Sequence, residues 1–148
     1  MSGMSRQARA ASRLAAVQAL YQIDMERPEL HLLLDEFHMH RLGAEIEDVK
    51  YAKADIAFFD DVVKGVDARR NEIDLLLSAK LAKGWSLARL DKTMLQILRA
   101  GSYELLARKD VPVATVITEY VDVAHAFFEE REAKFTNGVL DAVAKDVR

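Results

Sequence analysis

Apolar residues recur at three- and four-residue intervals along nearly the whole chain, and no stretch alternates with period two. That spacing gathers apolar side chains on one face of a helix, so the chain reads as all-α. A first helix is expected from about Ser5 to Glu26, burying Leu14, Val17, Leu20 and Tyr21. Pro28 suits the opening of a second, which carries Leu30, Leu33, Leu34 and Phe37 and stops near Gly43. A third begins near Val49 and buries Ile56, Phe59, Val63 and Val66. It bends at Gly65, because a helix-interior glycine costs about 1 kcal/mol relative to alanine. A further helix presents Ile73, Leu76, Leu77 and Leu81.

Lys83-Gly84-Trp85-Ser86 is the clearest internal boundary, a C-terminal glycine followed by an N-cap serine. Beyond it Leu87, Leu90, Met94, Ile97 and Gly101 fall at heptad spacing, predicting one long helix to about Ala107. Asp110-Val111-Pro112 resets the chain. The next helix carries Val116, Tyr120, Val123 and Phe127. A charged loop from Glu129 to Lys134 then precedes a last helix with Val139, Leu140, Val143 and Val147. The pattern gives about seven helices in two lobes, about 5–82 and about 85–148.

Composition narrows the function. With no cysteine, disulfides, thiolate catalysis and thiolate metal sites are excluded. No apolar run approaches the roughly eighteen residues a membrane span needs. The acid-free, arginine- and serine-containing start looks like an organellar transit peptide, but the helical pattern runs on into Val17, Leu20 and Tyr21 without a break.

The net charge of −3 does not describe a general polyanion binder, yet residues 1–23 hold Arg6, Arg9 and Arg13 and no acid. On a helix these three arginines lie within an arc of about 60°, at nearly the azimuth of Val17 and Leu20. The helix is therefore expected to project past the core and turn from apolar to basic. Either the stripe is a solvated helix end or, because cations at a helix N-terminus oppose the macrodipole and cost stability, it answers a binding need. Guanidinium forks suit phosphate oxygens and base edges, of RNA or DNA.

Other groupings lead nowhere comparable. His31, Asp35 and His38 share a helix face, but no second cluster completes a tetrahedral shell, so a solvated face is the reading and no metal is expected. Asp60-Asp61 and Glu129-Glu130 diverge by about 100° on a helix and do not converge on a substrate. Nucleophile-elbow, P-loop and GxGxxG patterns are absent, so no enzyme and no cofactor are expected. Lys134-Phe135-Thr136-Asn137-Gly138 places a cation and an aromatic at a helix opening. Either Thr136 or Asn137 caps that helix with Phe135 as a staple, or Lys134 and Phe135 hold a phosphate and a stacked base.

Four segments together resemble the NusB antitermination family: Ala16-Val-Gln-Ala-Leu-Tyr21; Ile97-Leu-Arg-Ala-Gly-Ser-Tyr-Glu-Leu105; Val111-Pro with Ile117-Thr-Glu119; and Lys134-Phe-Thr-Asn-Gly-Val-Leu-Asp141. They stand in the family's order, and the resemblance covers nearly the whole chain. It implies two three-helix bundles and a cytoplasmic, non-enzymatic factor. That factor would bind boxA-type single-stranded RNA of ribosomal RNA transcripts with NusE, a ribosomal protein, and help the RNA polymerase antitermination complex read through terminators. By that likeness Arg6, Arg9 and Arg13 form the basic arm, and Lys134 and Phe135 a second RNA-contacting segment next to Tyr21, with Arg131 adding charge. Trp85 and the off-stripe Leu95 and Leu98 are the expected NusE surface. The arm here, Arg6-Gln-Ala-Arg-Ala-Ala-Ser-Arg13, is more dilute than the tight arginine runs frequent in the family, and Thr118 stands where Asn is common. Some members self-associate through the surface that otherwise meets RNA, so a homodimer stays open. So do an RNA-binding module serving a separate rRNA-modifying enzyme and a protein-binding adaptor.

Overall fold

The computed structural model describes residues 3–40, 42 and 55–148. Among them the secondary structure is helical: α1 (Gly3–Glu26), α2 (Leu30–His40), α3 (Ile56–Ala68), α4 (Arg70–Ser78), α5 (Lys92–Ala107), α6 (Val113–Phe127) and α7 (Glu130–Val147), with a 3₁₀ turn at Leu87–Arg89. The expected stop near Gly43 and start near Val49 lie outside the described residues. The chain divides into two compact units, Met1–Lys64 and Gly65–Arg148, and the division falls within α3. The turn at Gly84, read from the sequence as the lobe boundary, lies inside the second unit, where α4 packs against α5.

In the first unit α1 ends where Arg27 takes a positive φ of 50°, just ahead of Pro28. Such a backbone conformation stops a helix, and proline resists its resumption. Phe37 of α2 stacks on Phe59 of α3, with centroids 5.5 Å apart. Asp55 opens α3 by accepting a hydrogen bond from the Phe58 amide at 3.0 Å. Phe58, Phe59, Val62 and Val63 are buried, whereas Ile56, expected inside, is 45% exposed in the first turn of the helix.

In the second unit α5, α6 and α7 pack pairwise. Every residue from Met94 to Leu105 is buried, which makes α5 the central helix, covered all round. Its buried Arg99 and Glu104 are matched, whereas the buried Ser102 hydroxyl has no hydrogen-bond partner among the described residues. Arg99 grips both carboxylate oxygens of Asp74 at 2.9 Å, and the Tyr120 hydroxyl donates to Glu104 at 2.5 Å. The predicted start at Leu87 is five residues early. Leu90 is extended, and Asp91 caps α5 by accepting from the amides of Thr93 and Met94. Ser86 makes no side-chain cap. The helix α3 runs on through Gly65 to Ala68. A side chain at Gly65 would overlap the Tyr103 ring, so the glycine serves a close approach. α7 also begins earlier than predicted. Glu129 and Glu132 form a reciprocal capping box, and the charged stretch expected as a loop is the helix's first turn.

Candidate functional site

The basic end of α1 does not stay exposed along its length. Arg6 is exposed and Arg9 about one-third exposed, but Arg13 is 2% exposed. Both inner guanidinium groups lie over the Phe58 ring, Arg9 at 4.6 Å and Arg13 at 4.9 Å from its centroid. The shared azimuth with Val17 and Leu20 is the reason: that face is still core at Arg13, so the change from apolar to basic surface happens nearer Arg9 than the sequence suggested. Arg13 is thereby corrected from a phosphate contact to a buried cation beneath the arm. Asp55 ties this corner together. Its amide donates to the Ala8 carbonyl at 3.2 Å, its carbonyl accepts from the Ser12 hydroxyl at 2.7 Å, and Oδ2 stands 3.6 Å from Arg9 Nε. Nothing in the arginine pattern pointed to Asp55. Its usable signal was an aspartate three residues before an apolar pair, an N-cap spacing. Tyr21, expected on the buried face, is 40% exposed, with Met25 exposed one turn later.

In the second unit, a cleft of about 760 Å³ brings Arg131 and Phe135, one turn apart on α7, together with Trp85, Arg89 and Phe128. Phe135 is 38% exposed and Trp85 58% exposed, so neither ring is consumed by the core. Phe135 is thus no core staple. It also does not stand at a helix opening, because α7 begins at Glu130 and Thr136 is buried, its hydroxyl donating to the Glu132 carbonyl at 2.9 Å. The guanidinium of Arg89 lies 5.7 Å from the Trp85 ring and donates to the Gly84 carbonyl at 3.1 Å, which holds this rim in place. Sequence reading missed Arg89 and Phe128. The four-residue spacing of Trp85 and Arg89 was the available cue.

Lys134 faces elsewhere. One residue from Phe135 it turns about 100° around the helix and lines a smaller groove between α6 and α7 with Thr118, Asp122, His125 and Asn137. The structure therefore pairs Phe135 with Arg131, and not with Lys134. Of the residues read as a partner surface, Trp85 is open, but Leu95 and Leu98 are 5% and 0% exposed. Their position off the heptad stripe reflects a helix buried on all sides, which corrects both. His31 is exposed beside Glu29, while His38 bonds Asp60 of α3 at 2.6 Å, so these side chains do not converge with Asp35. No helix among the described residues is long and apolar enough to cross a membrane.

A sequence profile described as the NusB family matches residues 10–145. The chain belongs to the NusB family. It is 82% identical, over the full length of both chains, to the transcription antitermination protein NusB of Novosphingobium aromaticivorans. It is 63% identical to the protein of the same name from Sphingopyxis alaskensis, over 96% of this chain and 95% of that one. The solved NusB of T. maritima superposes with a TM-score of 0.75 at 32% identity, covering 93% of this chain and 91% of that one. A structure of NusB and NusE in complex with dsRNA gives 0.76 at 24% identity, covering 93% and 96%. That last likeness is one of fold. The all-α architecture and the membership of a non-enzymatic transcription-factor family agree with the sequence reading.

Proposed function

We propose that this chain is an antitermination factor that binds boxA-type RNA of ribosomal RNA transcripts together with NusE and promotes readthrough by RNA polymerase, in the cytoplasm. The arrangement that supports the RNA half is the cleft. Arginines 89 and 131 and the ring of Phe135 open onto one space, and a ring with guanidinium planes suits unstacked bases and the phosphates between them. Arg6 and Arg9 offer a second cationic site, with Tyr21 exposed further along the same helix. Lys134 is the remaining cation of the proposed surface, serving a phosphate away from the Phe135 ring. NusE-like proteins meet the family fold in a solved relative, and the exposed Trp85 is the residue here retained for that contact. Self-association through the RNA-facing surface would compete with RNA.

The test is a titration of boxA-like single-stranded RNA with and without the cognate NusE, over a salt series. Saturable binding that NusE strengthens, with affinity falling as salt rises, is the expected result. Absence of binding in both arms would remove the RNA reading and leave a protein adaptor.

A further inference from the structure

We propose that Asp55 is a built-in competitor for the arm, holding Arg9 in a weak contact that RNA phosphate must displace. The proposal rests on the RNA reading above. Arg9 combines a surface fraction with an acidic neighbour: Nε stands 3.6 Å from Asp55 Oδ2, with the two side chains 32% and 31% exposed. That separation is an ion pair but not a hydrogen bond, and Arg9 Nε has no hydrogen-bond partner among the described residues. The other carboxylate oxygen is committed, accepting the Phe58 amide at 3.0 Å, and the Asp55 backbone is anchored on α1 at Ala8 and Ser12. Asp55 therefore cannot swing away with Arg9. When a phosphate approaches, the fixed carboxylate either keeps Arg9 or repels the newcomer.

The Phe58 ring makes exchange easy. It already carries Arg13 at 4.9 Å beside Arg9 at 4.6 Å, so the ring keeps one cation when the other leaves. A third-exposed pair without a hydrogen bond is weak, worth at most about a fivefold change in an equilibrium. That is strong enough to set a threshold and weak enough for RNA to overcome.

Asp55→Asn tests this with little risk to the fold, since asparagine is as good an N-cap as aspartate and keeps the acceptor for Phe58. A thermal melt checks that α3 stays capped, and Asp55→Ser serves if it does not. Wild type, D55N, R9Q and the double variant are titrated with boxA-like single-stranded RNA over a salt series and eluted from immobilised heparin. D55N is expected to bind RNA up to about fivefold tighter at low salt, with a salt slope steeper by up to about one. It should also leave heparin later. In the R9Q background the same substitution should change nothing. Unchanged or weaker binding by D55N, or equal tightening with and without Arg9, would overturn the proposal, the latter by showing a mere loss of negative charge. Should wild type fail to bind the RNA, the RNA reading falls by itself, and heparin elution still decides whether Asp55 restrains Arg9.

Discussion

The two units hold arginine in different ways. In the N-terminal unit Arg13 and, in part, Arg9 lie over the face of Phe58. In the C-terminal unit Arg99 is locked in a fork on Asp74, and Arg148 at the end of α7 donates to the carbonyls of Leu105, Val111 and Arg108 at 2.8 to 2.9 Å and of Glu104 at 3.2 Å. A ring face holds a cation over a range of positions, whereas a fork or a set of helix-end carbonyls fixes one geometry. Arg99 and Arg148 of the second unit are framework; Arg13, Arg9 and Arg6 of the first are graded from framework to surface along one helix. Arginine by itself does not mark a binding site. The partner that holds it does.

The strongest way to break this contrast is Asp74→Ala. It leaves Arg99, a residue 7% exposed, without its forked partner. Because Asp74 is itself a quarter exposed, the loss should sit at the low end for a broken buried pair, about 3 kcal/mol. Urea denaturation reads it; a loss under about 1 kcal/mol would mean the fork is no more than a surface pair. Next comes Phe135→Ala. Since the ring is only partly covered, its loss should move stability by no more than about 1 kcal/mol. RNA affinity should instead drop roughly 5- to 150-fold, the value of a stacked base. A collapsed melting temperature with intact affinity would make Phe135 structural after all.

Arg13→Ala and Arg6→Ala sharpen the gradient along α1. Removing Arg13 deletes a buried stem and a ring contact, so unfolding should ease by about 2 kcal/mol, with the RNA salt slope unchanged. Removing Arg6 should do the reverse: little effect on melting, and a salt slope shallower by about one. If both variants alter the slope alike, Arg13 reaches RNA by moving out of its site.

The helix count and, Tyr21 and Phe127 apart, the covered faces of α1, α2, α6 and α7 were legible because apolar spacing reports a helix's buried side. So was the family, through Lys134 to Asp141. Three things were not. Leu95 and Leu98 were misread because a central helix has no free face, and a stripe with extra apolar residues looks the same whether the surplus meets a partner or the core. Arg13 was misread because burial of a guanidinium depends on Phe58, some forty residues away in sequence, which spacing along α1 cannot show. The helix starts were misplaced where the cap was an acid: Asp91, inside a stretch read as helix, and Glu129, at the head of one read as charged loop.

The smallest expected effect tests that last error. Glu132 closes the capping box of α7, accepting from the Glu129 amide at 3.2 Å, and also contacts Arg131 at 3.2 Å. A hydrogen bond to its own backbone is the largest effect and, with lesser ones from Arg131 and Glu129, holds its carboxyl below the ordinary carboxylate range against the opposing effect of burial. A carboxyl depressed in the folded state binds its proton more readily once unfolded. It therefore adds stability at pH values above its unfolded pKa, and that contribution fades as pH falls through the folded value. Glu132→Gln should leave the melting temperature nearly unchanged at low pH, lower it slightly at neutral pH, and so flatten the acid limb of a melting profile. It also removes the carboxylate beside Arg131, so RNA binding should hold or tighten while the helix start loosens. A profile identical in shape to wild type would mean that α7 begins at Glu130 without help from Glu132.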